Sequence, residues 1–84
     1  MWYVYIVKCR DGSLYTGITT DVERRLKEHN ETSKGAKYTK ARRPVSLVFQ
    51  EEAADKSAAA KREYQIKQMK RQTKEALIAG FSSC

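Results

Sequence analysis

One carboxylate of this chain stands in an apolar helical stripe. Ala59, Glu63 and Ile66 follow one another at i, i+4 and i+7, which places them on one face of a helix. A charge on a buried face needs a partner. That partner is either a cationic side chain, from Arg25 or a neighbouring lysine, or a divalent cation. Mg²⁺ or Mn²⁺ suits the second alternative, because such ions are held by one or two carboxylates together with water and substrate phosphate. Glu63 is therefore the candidate metal ligand.

A second pair of chemically capable residues, Arg25 and His29, lies four residues apart on another helical segment. Such pairs are frequent on solvated helix flanks. Arginine is nevertheless the side chain best shaped to clamp a phosphate with two hydrogen bonds. His29 is the only histidine of the chain, and its unperturbed pKa lies in the neutral range. Both residues are candidates for chemistry at a phosphate.

Tyrosines surround the first hairpin, in the stretch WYVYIVKCRDGSLYTGIT. Sheet packing is the ordinary explanation, because tyrosine is a good strand former. A two-residue loop at Asp11-Gly12 would point Tyr5 and Tyr15 to opposite faces. A three-residue loop, with Gly12 in the left-handed conformation, instead pairs residues whose numbers sum to 22. The second register is preferred, because a slip by one residue would mix the aliphatic and polar sets. It gathers on one face Tyr3, Ser13 and Gly17 together with Tyr5 and Tyr15.

Short elements position these side chains. Residues 2–9 are almost continuously apolar, which is typical of a central strand covered on both faces. Asp21 is placed to cap a helix whose core-facing pair is Val22 and Leu26. The pattern predicts strands over 2–9, 13–19 and 45–50, a basic loop over 31–44, and helices over 22–30, 54–72 and 73–79 with Gly80 as C-cap.

The order ββαβαα predicts an α+β fold, in which a three-stranded antiparallel sheet is flanked by helices. We expect a single domain over residues 1–80 and a frayed C-terminal tail over 81–84. Cys9 is interpreted as a small hydrophobic residue at the end of a strand, and Cys84 is assigned to the tail. Two cysteines and one histidine are too few for a structural zinc site.

The chain is strongly basic. Its 84 residues carry 17 Lys and Arg against 10 Asp and Glu, a formal net charge of +7. Such a field attracts polyanions, and nucleic acid is the first partner to consider. The chain has no run of 18 apolar residues and no basic region before its apolar start, so we expect neither a membrane span nor a signal peptide. The predicted location is the cytoplasm.

Four fragments together resemble the GIY-YIG nuclease superfamily, and most closely its short, single-domain bacterial members. They are YVY at 3–5, YTG at 15–17, TTDVERRLKEH at 19–29 and KREYQIKQM at 61–69. Each fragment is weak, whereas their order and spacing are specific, and the resemblance extends from Trp2 to about Ile78. It implies the three-stranded fold and a metal-dependent phosphodiesterase. It further implies that the catalytic residues are Tyr5, Tyr15, Arg25 and His29, and that Glu63 binds the metal.

The chain departs from the family pattern in four respects. Its first motif has Tyr3 where the family has glycine. The loop after the first helix offers Tyr38 or Lys37 where some larger members have a second histidine. No counterpart of a late asparagine follows Glu63, and no separate DNA-binding domain is visible. These departures bear most on substrate choice.

The resemblance and the charge together predict a Mg²⁺- or Mn²⁺-dependent endonuclease acting on DNA rather than RNA, with structured or repair intermediates as candidate substrates. We expect a monomer. The basic loop is predicted to contact the nucleic-acid backbone, with Tyr38 stacking on an unpaired base, through Lys34, Lys37, Tyr38, Lys40, Arg42 and Arg43. Two alternatives are a nucleic-acid binding module that has lost turnover and a basic accessory protein that docks an acidic partner.

Overall fold

A computed structural model describes residues 1–31 and 34–82 of the chain. Seven elements follow one another: β1 (Trp2–Lys8), β2 (Leu14–Thr19), α1 (Val22–Glu31), α2 (Lys37–Lys40), β3 (Ser46–Ala53), α3 (Lys56–Gln68) and α4 (Arg71–Ser82). The three strands form one antiparallel sheet in the order β2-β1-β3. The predicted α+β class and the central position of the first strand are confirmed. The order ββαβαα is confirmed as well, with the single turn α2 added inside the predicted basic loop.

The turn of the first hairpin sets the register of the sheet. Gly12 has a φ of 87°, in the left-handed region that favours glycine. The amide of Gly12 donates to Cys9 O at 2.9 Å. Val4 is consequently paired with Ile18, and Ile6 with Thr16. The register in which paired residue numbers sum to 22 is therefore confirmed.

The pleat of β1 divides the core into two clusters, one on each face of the sheet. Val4 and Ile6 pack with Phe49 of β3 and with Ala59 and Ile66 of α3. The alternate residues of β1 form the second cluster, which is Tyr5, Val7, Cys9 and Val45 with Tyr15, Leu26 and Leu47 packed against it. Cys9 lies buried in the second cluster, as predicted. The tyrosine face of the hairpin is thus the face that α1 covers.

The helices are held by caps that the sequence displays. The Asp21 carboxylate accepts the amide of Arg24 at 3.0 Å at the start of α1. Asp55 does the same for Ala58 at 2.8 Å at the start of α3. Such caps contribute about 1 kcal/mol each.

No helix within residues 1–31 and 34–82 has the length and apolar character needed to cross a membrane.

The last helix differs from its prediction. It begins at Arg71 and runs through Ser82, so Gly80 lies inside it and is not its C-cap. Residues 81 and 82 are helical, whereas a frayed tail was predicted over 81–84. The reason is a contact, because the Phe81 ring meets Phe49 edge-on with ring centroids 6.0 Å apart. The predicted assignment of Cys84 to the tail lies outside the described residues.

Candidate active site

The Tyr5 phenol crosses the sheet from the central strand towards β2. Tyr5 and Gly17 are paired across the two strands, so the ring passes over a residue without a side chain. Only 2 % of Tyr5 is exposed. Its Oη lies 2.7 Å from Nε2 of His29, and Arg25 is near enough to lower the pKa of the phenol. The register of β1 positions Tyr5, and helix α1 brings His29 and Arg25 to the same place.

His29 is the buried residue of α1, with none of its surface exposed. A solvated helix flank is a frequent position for a pair such as Arg25 and His29, but for His29 it is not the position observed. His29 follows Val22 at i+7 and Leu26 at i+3, so it continues the stripe that packs on the sheet. The spacing therefore contained the signal for its burial.

Arg25 is fixed between the helix and the loop that follows it. Its guanidinium donates to Glu28 Oε1 at 3.0 Å and to the carbonyl oxygen of Lys34 at 2.8 Å. About a quarter of the side chain remains exposed, at 26 %. Arg25 thus joins Tyr5 to the surface, where a phosphate could reach its remaining donors.

Glu63 lies on the face of α3 that carries the buried Ala59 and Ile66, as its spacing predicted. Its carboxylate is 24 % exposed and faces Lys67 Nζ at 3.5 Å. Of the two ion-pair alternatives, the neighbouring lysine is the one observed, since Arg25 pairs with Glu28. The pair with Lys67 is long and half-exposed, so it holds the carboxylate weakly.

The oxygens available at Glu63 limit which metal fits there. Among residues 1–31 and 34–82, no three His, Cys, Asp or Glu side chains are grouped to hold an ion by themselves. A closed zinc site does not match this donor set. A Mg²⁺-type ion does match, because it binds through one or two carboxylates and takes its other ligands from water and phosphate.

The pKa values at the site keep Tyr5 and His29 neutral in the resting protein. Burial raises the pKa of Tyr5 to about 12, against a lowering hydrogen bond from Arg25; the charges of Tyr15 and Glu63 add to the rise. Burial also lowers the pKa of His29 to about 4, and the charge of Arg25 acts in the same direction. The Glu63 carboxylate is thus close enough to act electrostatically on Tyr5, although the two residues come from different elements.

Aromatic rings continue the site towards the surface. The Tyr15 ring meets His29 edge-on at 5.4 Å and stacks with Tyr38 at 6.0 Å. The Arg42 guanidinium lies 4.0 Å from the centre of the Tyr38 ring. Tyr38 was predicted to be available for stacking on an unpaired base, but its ring already has these two partners and is 39 % exposed.

The cationic side chains of the basic loop are of two kinds. Arg42 forms an ion pair with Asp11 at 3.1 Å and donates to the Tyr38 carbonyl, which ties α2 to the hairpin turn. Arg43 donates to the carbonyl oxygens of His29 and Glu28. The two arginines therefore have internal structural contacts. The exposed cations are the lysines, Lys34, Lys37 and Lys40.

Two residues of the site were not found from the sequence. Thr39 is fully buried in α2, with Oγ1 2.9 Å from Nδ1 of His29. Gly35 lets the loop backbone lie against α1, since an added Cβ would be 2.7 Å from the Glu28 carbonyl oxygen. No periodicity marks either residue, because both depend on the path of the loop.

The sheet carries Tyr5 and Tyr15, and the helices beside it carry the other candidate residues, Arg25 and His29 on α1 and Glu63 on α3. The chain matches the model of the GIY-YIG catalytic domain over residues 1–76, and it belongs to the GIY-YIG family. The resemblance inferred from the four fragments is thereby confirmed, and nucleases of this family generally use divalent metal ions.

The chain is also similar to several small bacterial proteins named UPF0213. It is 62 % identical over 76 residues to one from Staphylococcus haemolyticus, covering 90 % of this chain and 92 % of the relative. It is 55 % identical to one from Desulfotalea psychrophila, covering 98 % of this chain and 78 % of the relative.

Two solution NMR structures support the fold. The UPF0213 protein of Bacillus halodurans matches with a TM-score of 0.59 at 49 % identity, over 94 % of this chain and 84 % of the other. A protein of E. faecalis matches with a TM-score of 0.63 at 43 % identity, over 98 % and 86 % of the two chains.

Proposed function

We propose that this protein is a divalent-metal-dependent endonuclease that hydrolyses phosphodiester bonds in DNA. The observation that carries the proposal is the environment of the Tyr5 oxygen, which is hydrogen-bonded to His29 and lies within the electrostatic reach of Arg25 and Glu63. Family membership supports the reaction class. The preference for DNA over RNA, the monomeric state and the cytoplasmic location remain predictions.

Tyr5 is the proposed base. When a water molecule attacks the phosphorus, the new P–O bond forms, the bond to the leaving oxygen breaks, and the water proton passes to the phenolate oxygen of Tyr5. Phenolate is the minor form at neutral pH, because the pKa of Tyr5 is raised to about 12. The positive charges that gather with the substrate therefore have to favour ionisation of Tyr5.

The other residues act on the phosphate. Arg25 neutralises charge on the phosphoryl oxygens as it builds in the transition state. Tyr15, held against His29, orients the phosphate or the attacking water. A metal ion at Glu63 would supply Lewis-acid polarisation of a phosphate oxygen. Glu63 is suited to hold Mg²⁺ or Mn²⁺ because its carboxylate is partly exposed and only weakly paired.

A cleavage assay with a charge-matched control tests this proposal. Labelled single-stranded, duplex and branched DNA, with an RNA control, are incubated with wild type, Glu63→Gln or Glu52→Gln in Mg²⁺ or Mn²⁺. Glu52 is an exposed carboxylate of β3, so Glu52→Gln changes the net charge equally. Cleavage that requires metal and is lost only in Glu63→Gln supports the endonuclease. Equal cleavage by all three proteins rejects the role of Glu63.

One observation favours a second candidate function, a binding module without turnover. Tyr5 is almost fully buried and its pKa is raised, so its resting form is the neutral phenol, which is a poor base. Such a module would bind DNA with strong salt dependence and leave it intact. Binding without cleavage by both wild type and Glu63→Gln identifies this case, whereas absence of DNA binding points to an accessory protein.

A further inference from the structure

The one-turn helix α2 and the residue before it bring two groups to the far side of the His29 ring. Nδ1 of His29 lies 2.9 Å from Thr39 Oγ1 and 3.3 Å from the backbone nitrogen of Ala36. His29 and Thr39 are both fully buried. Neither group touches the reacting atoms of the proposed function. Their position instead determines which ring nitrogen carries the proton.

The backbone amide has a fixed direction. An amide N–H only donates, so the Ala36 amide requires Nδ1 of His29 to be an acceptor. The Thr39 hydroxyl can rotate and donate to the same atom. The same hydroxyl is also in position to donate to the Ala36 carbonyl oxygen at 2.9 Å, so its single proton has two possible acceptors. Because the two lone pairs of that carbonyl oxygen already accept the amides of Thr39 and Lys40 at 3.0 and 3.1 Å, Nδ1 of His29 is the acceptor with a free lone pair.

We propose that Thr39 is a positioning residue which, together with the Ala36 amide, holds the neutral His29 ring in the tautomer with its proton on Nε2. Nε2 then donates to Tyr5 Oη at 2.7 Å. A donor on the phenolic oxygen stabilises the phenolate over the phenol. His29 accordingly supports Tyr5 as a hydrogen-bond donor and does not act as the acceptor of its proton.

The loop is built to hold this arrangement. Gly35 lets the chain approach the backbone of α1, where an added Cβ would lie 2.8 Å from the Cα atom of His29. Arg43 fastens the other side by donating to the His29 carbonyl oxygen. The opposite tautomer would direct Nδ1–H towards Thr39 and set a ring N–H against the Ala36 N–H at 3.3 Å, which is a donor facing a donor.

The consequence for Tyr5 rests on the proposed function, whereas the tautomer itself does not. ¹⁵N NMR of the folded protein reads it directly, because protonated and unprotonated ring nitrogens resonate far apart. His29 is the only histidine of the chain, so an untagged, ¹⁵N-histidine-labelled sample gives one unambiguous ring. At pH 7 we expect an unprotonated Nδ1 and a protonated Nε2. A proton on Nδ1 in the wild type overturns the proposal.

Thr39→Val and Thr39→Ser isolate the hydroxyl. Valine keeps the branched shape and loses the donor, so we expect the ratio of the two tautomers to fall roughly fivefold, the worth of one hydrogen bond. Serine keeps the donor and should restore the wild-type ratio. An unchanged ratio in Thr39→Val, with the backbone ¹H–¹⁵N spectrum preserved, assigns the tautomer to the amide alone and overturns the role of Thr39. If Thr39→Val does not fold, Thr39→Ser and the wild-type tautomer still decide.

A cleavage assay, combined with the NMR result, distinguishes a failure of this inference from a failure of the proposed function. The expected result is a fall in kcat for Thr39→Val, with KM unchanged and kcat recovered in Thr39→Ser. A wild type with the Nε2 proton and no cleavage rejects the endonuclease but keeps the tautomer. A wild type that cleaves with its proton on Nδ1 keeps the endonuclease and rejects the tautomer.

Discussion

The oxygen of Tyr5 occupies the space that a side chain at Gly17 would take. A Cβ atom added to Gly17 would lie 2.5 Å from Tyr5 Oη and 2.7 Å from its Cζ, closer than real Cβ contacts allow. The two residues are paired across β1 and β2. Gly17 is thus required by the close approach of the phenol, since its own backbone is ordinary strand.

Gly17→Ala should therefore displace the phenol and break its 2.7 Å contact with His29. We expect cleavage to be lost and the free energy of unfolding to fall by about 1–3 kcal/mol, as for other overpacked sites. Cleavage assays and urea unfolding measure the two effects. Gly80→Ala is the control, because no atom lies within 4 Å of its added Cβ and alanine favours the helix by up to about 1 kcal/mol. Wild-type cleavage by Gly17→Ala would show that the position of Tyr5 is not critical.

Lys67 competes with a metal ion for Glu63. Its Nζ lies 3.5 Å from the carboxylate and its side chain is 50 % exposed. We expect Lys67→Gln to lower the metal concentration that gives half-maximal cleavage, while stability changes by less than about 0.5 kcal/mol. A metal titration of the cleavage rate measures this effect. Lys61→Gln, an equal loss of charge at an exposed position of α3, should leave the midpoint unchanged. The same midpoint in all three proteins would contradict the competition.

The fold was predictable where a local pattern had only one good solution. The Asp11-Gly12 turn indicated the register, because a slip by one residue would have mixed the aliphatic and polar sets of side chains. The end of α4 was not predictable in the same way. Gly80 is a usual helix terminator, and the contact that carries the helix past it joins Phe81 to Phe49, far away in the sequence.

The same distinction holds for the residues of the candidate site. Glu63 was identified as a candidate metal ligand because its i, i+4, i+7 spacing with Ala59 and Ile66 shows a charge on a buried face. Thr39 was not found, since its role depends on a loop that returns to His29 only in the folded protein. The internal contacts of Arg42 and Arg43 were missed for a related reason. A count of charges does not distinguish a cation that binds a partner from one that binds its own chain.

The burial of His29 should make the protein sensitive to acid. Burial lowers its pKa from 6.5 to about 4, so between these pH values the unfolded chain takes up a proton that the folded chain does not. The free energy of unfolding should therefore fall by up to about 3 kcal/mol as the pH drops from 7 to 4. Urea unfolding across this range measures it. His29→Gln should be less stable at pH 7 but lack most of this slope, and an equal slope in both proteins would contradict the assignment. Asp11 does not account for a slope between pH 7 and 4, because its hydrogen bonds to Ser13 lower the pKa of its carboxyl group.

Tyr5 should be recognisable among the five tyrosines by its late ionisation. Burial raises its pKa to about 12, so the stability that comes from its neutral form is complete below pH 10 and is lost as the pH rises towards 12. An ultraviolet titration of phenolate absorbance should show one tyrosine ionising only near pH 12 or on unfolding. Tyr5→Phe should remove this phase, whereas Tyr64→Phe, at a position that is 66 % exposed, should leave it in place. A late phase that persists in Tyr5→Phe would assign it elsewhere.

The exposed lysines of the loop should carry the salt dependence of DNA binding. Lys34, Lys37 and Lys40 lie on the surface beside the site, whereas Arg42 and Arg43 are hydrogen-bonded within the chain. Each phosphate contact contributes roughly 0.9 to the slope of log K against log salt on duplex DNA. Replacing the three lysines with alanine should therefore reduce the slope by up to about 3. Fluorescence anisotropy between low and moderate salt measures it.

A control variant with the same loss of charge distinguishes direct contact between the loop and the DNA from attraction by the net charge of the protein. Alanine at Lys8, Lys61 and Lys70 also removes three exposed lysines, but these are spread over β1, α3 and the link to α4. Because general attraction is screened within about 10 Å at 0.1 M salt, this variant should keep most of the slope. Equal losses in the two triple variants would mean that net charge, and not the loop, attracts the DNA. An unchanged slope in the loop variant would exclude the loop as the contact surface.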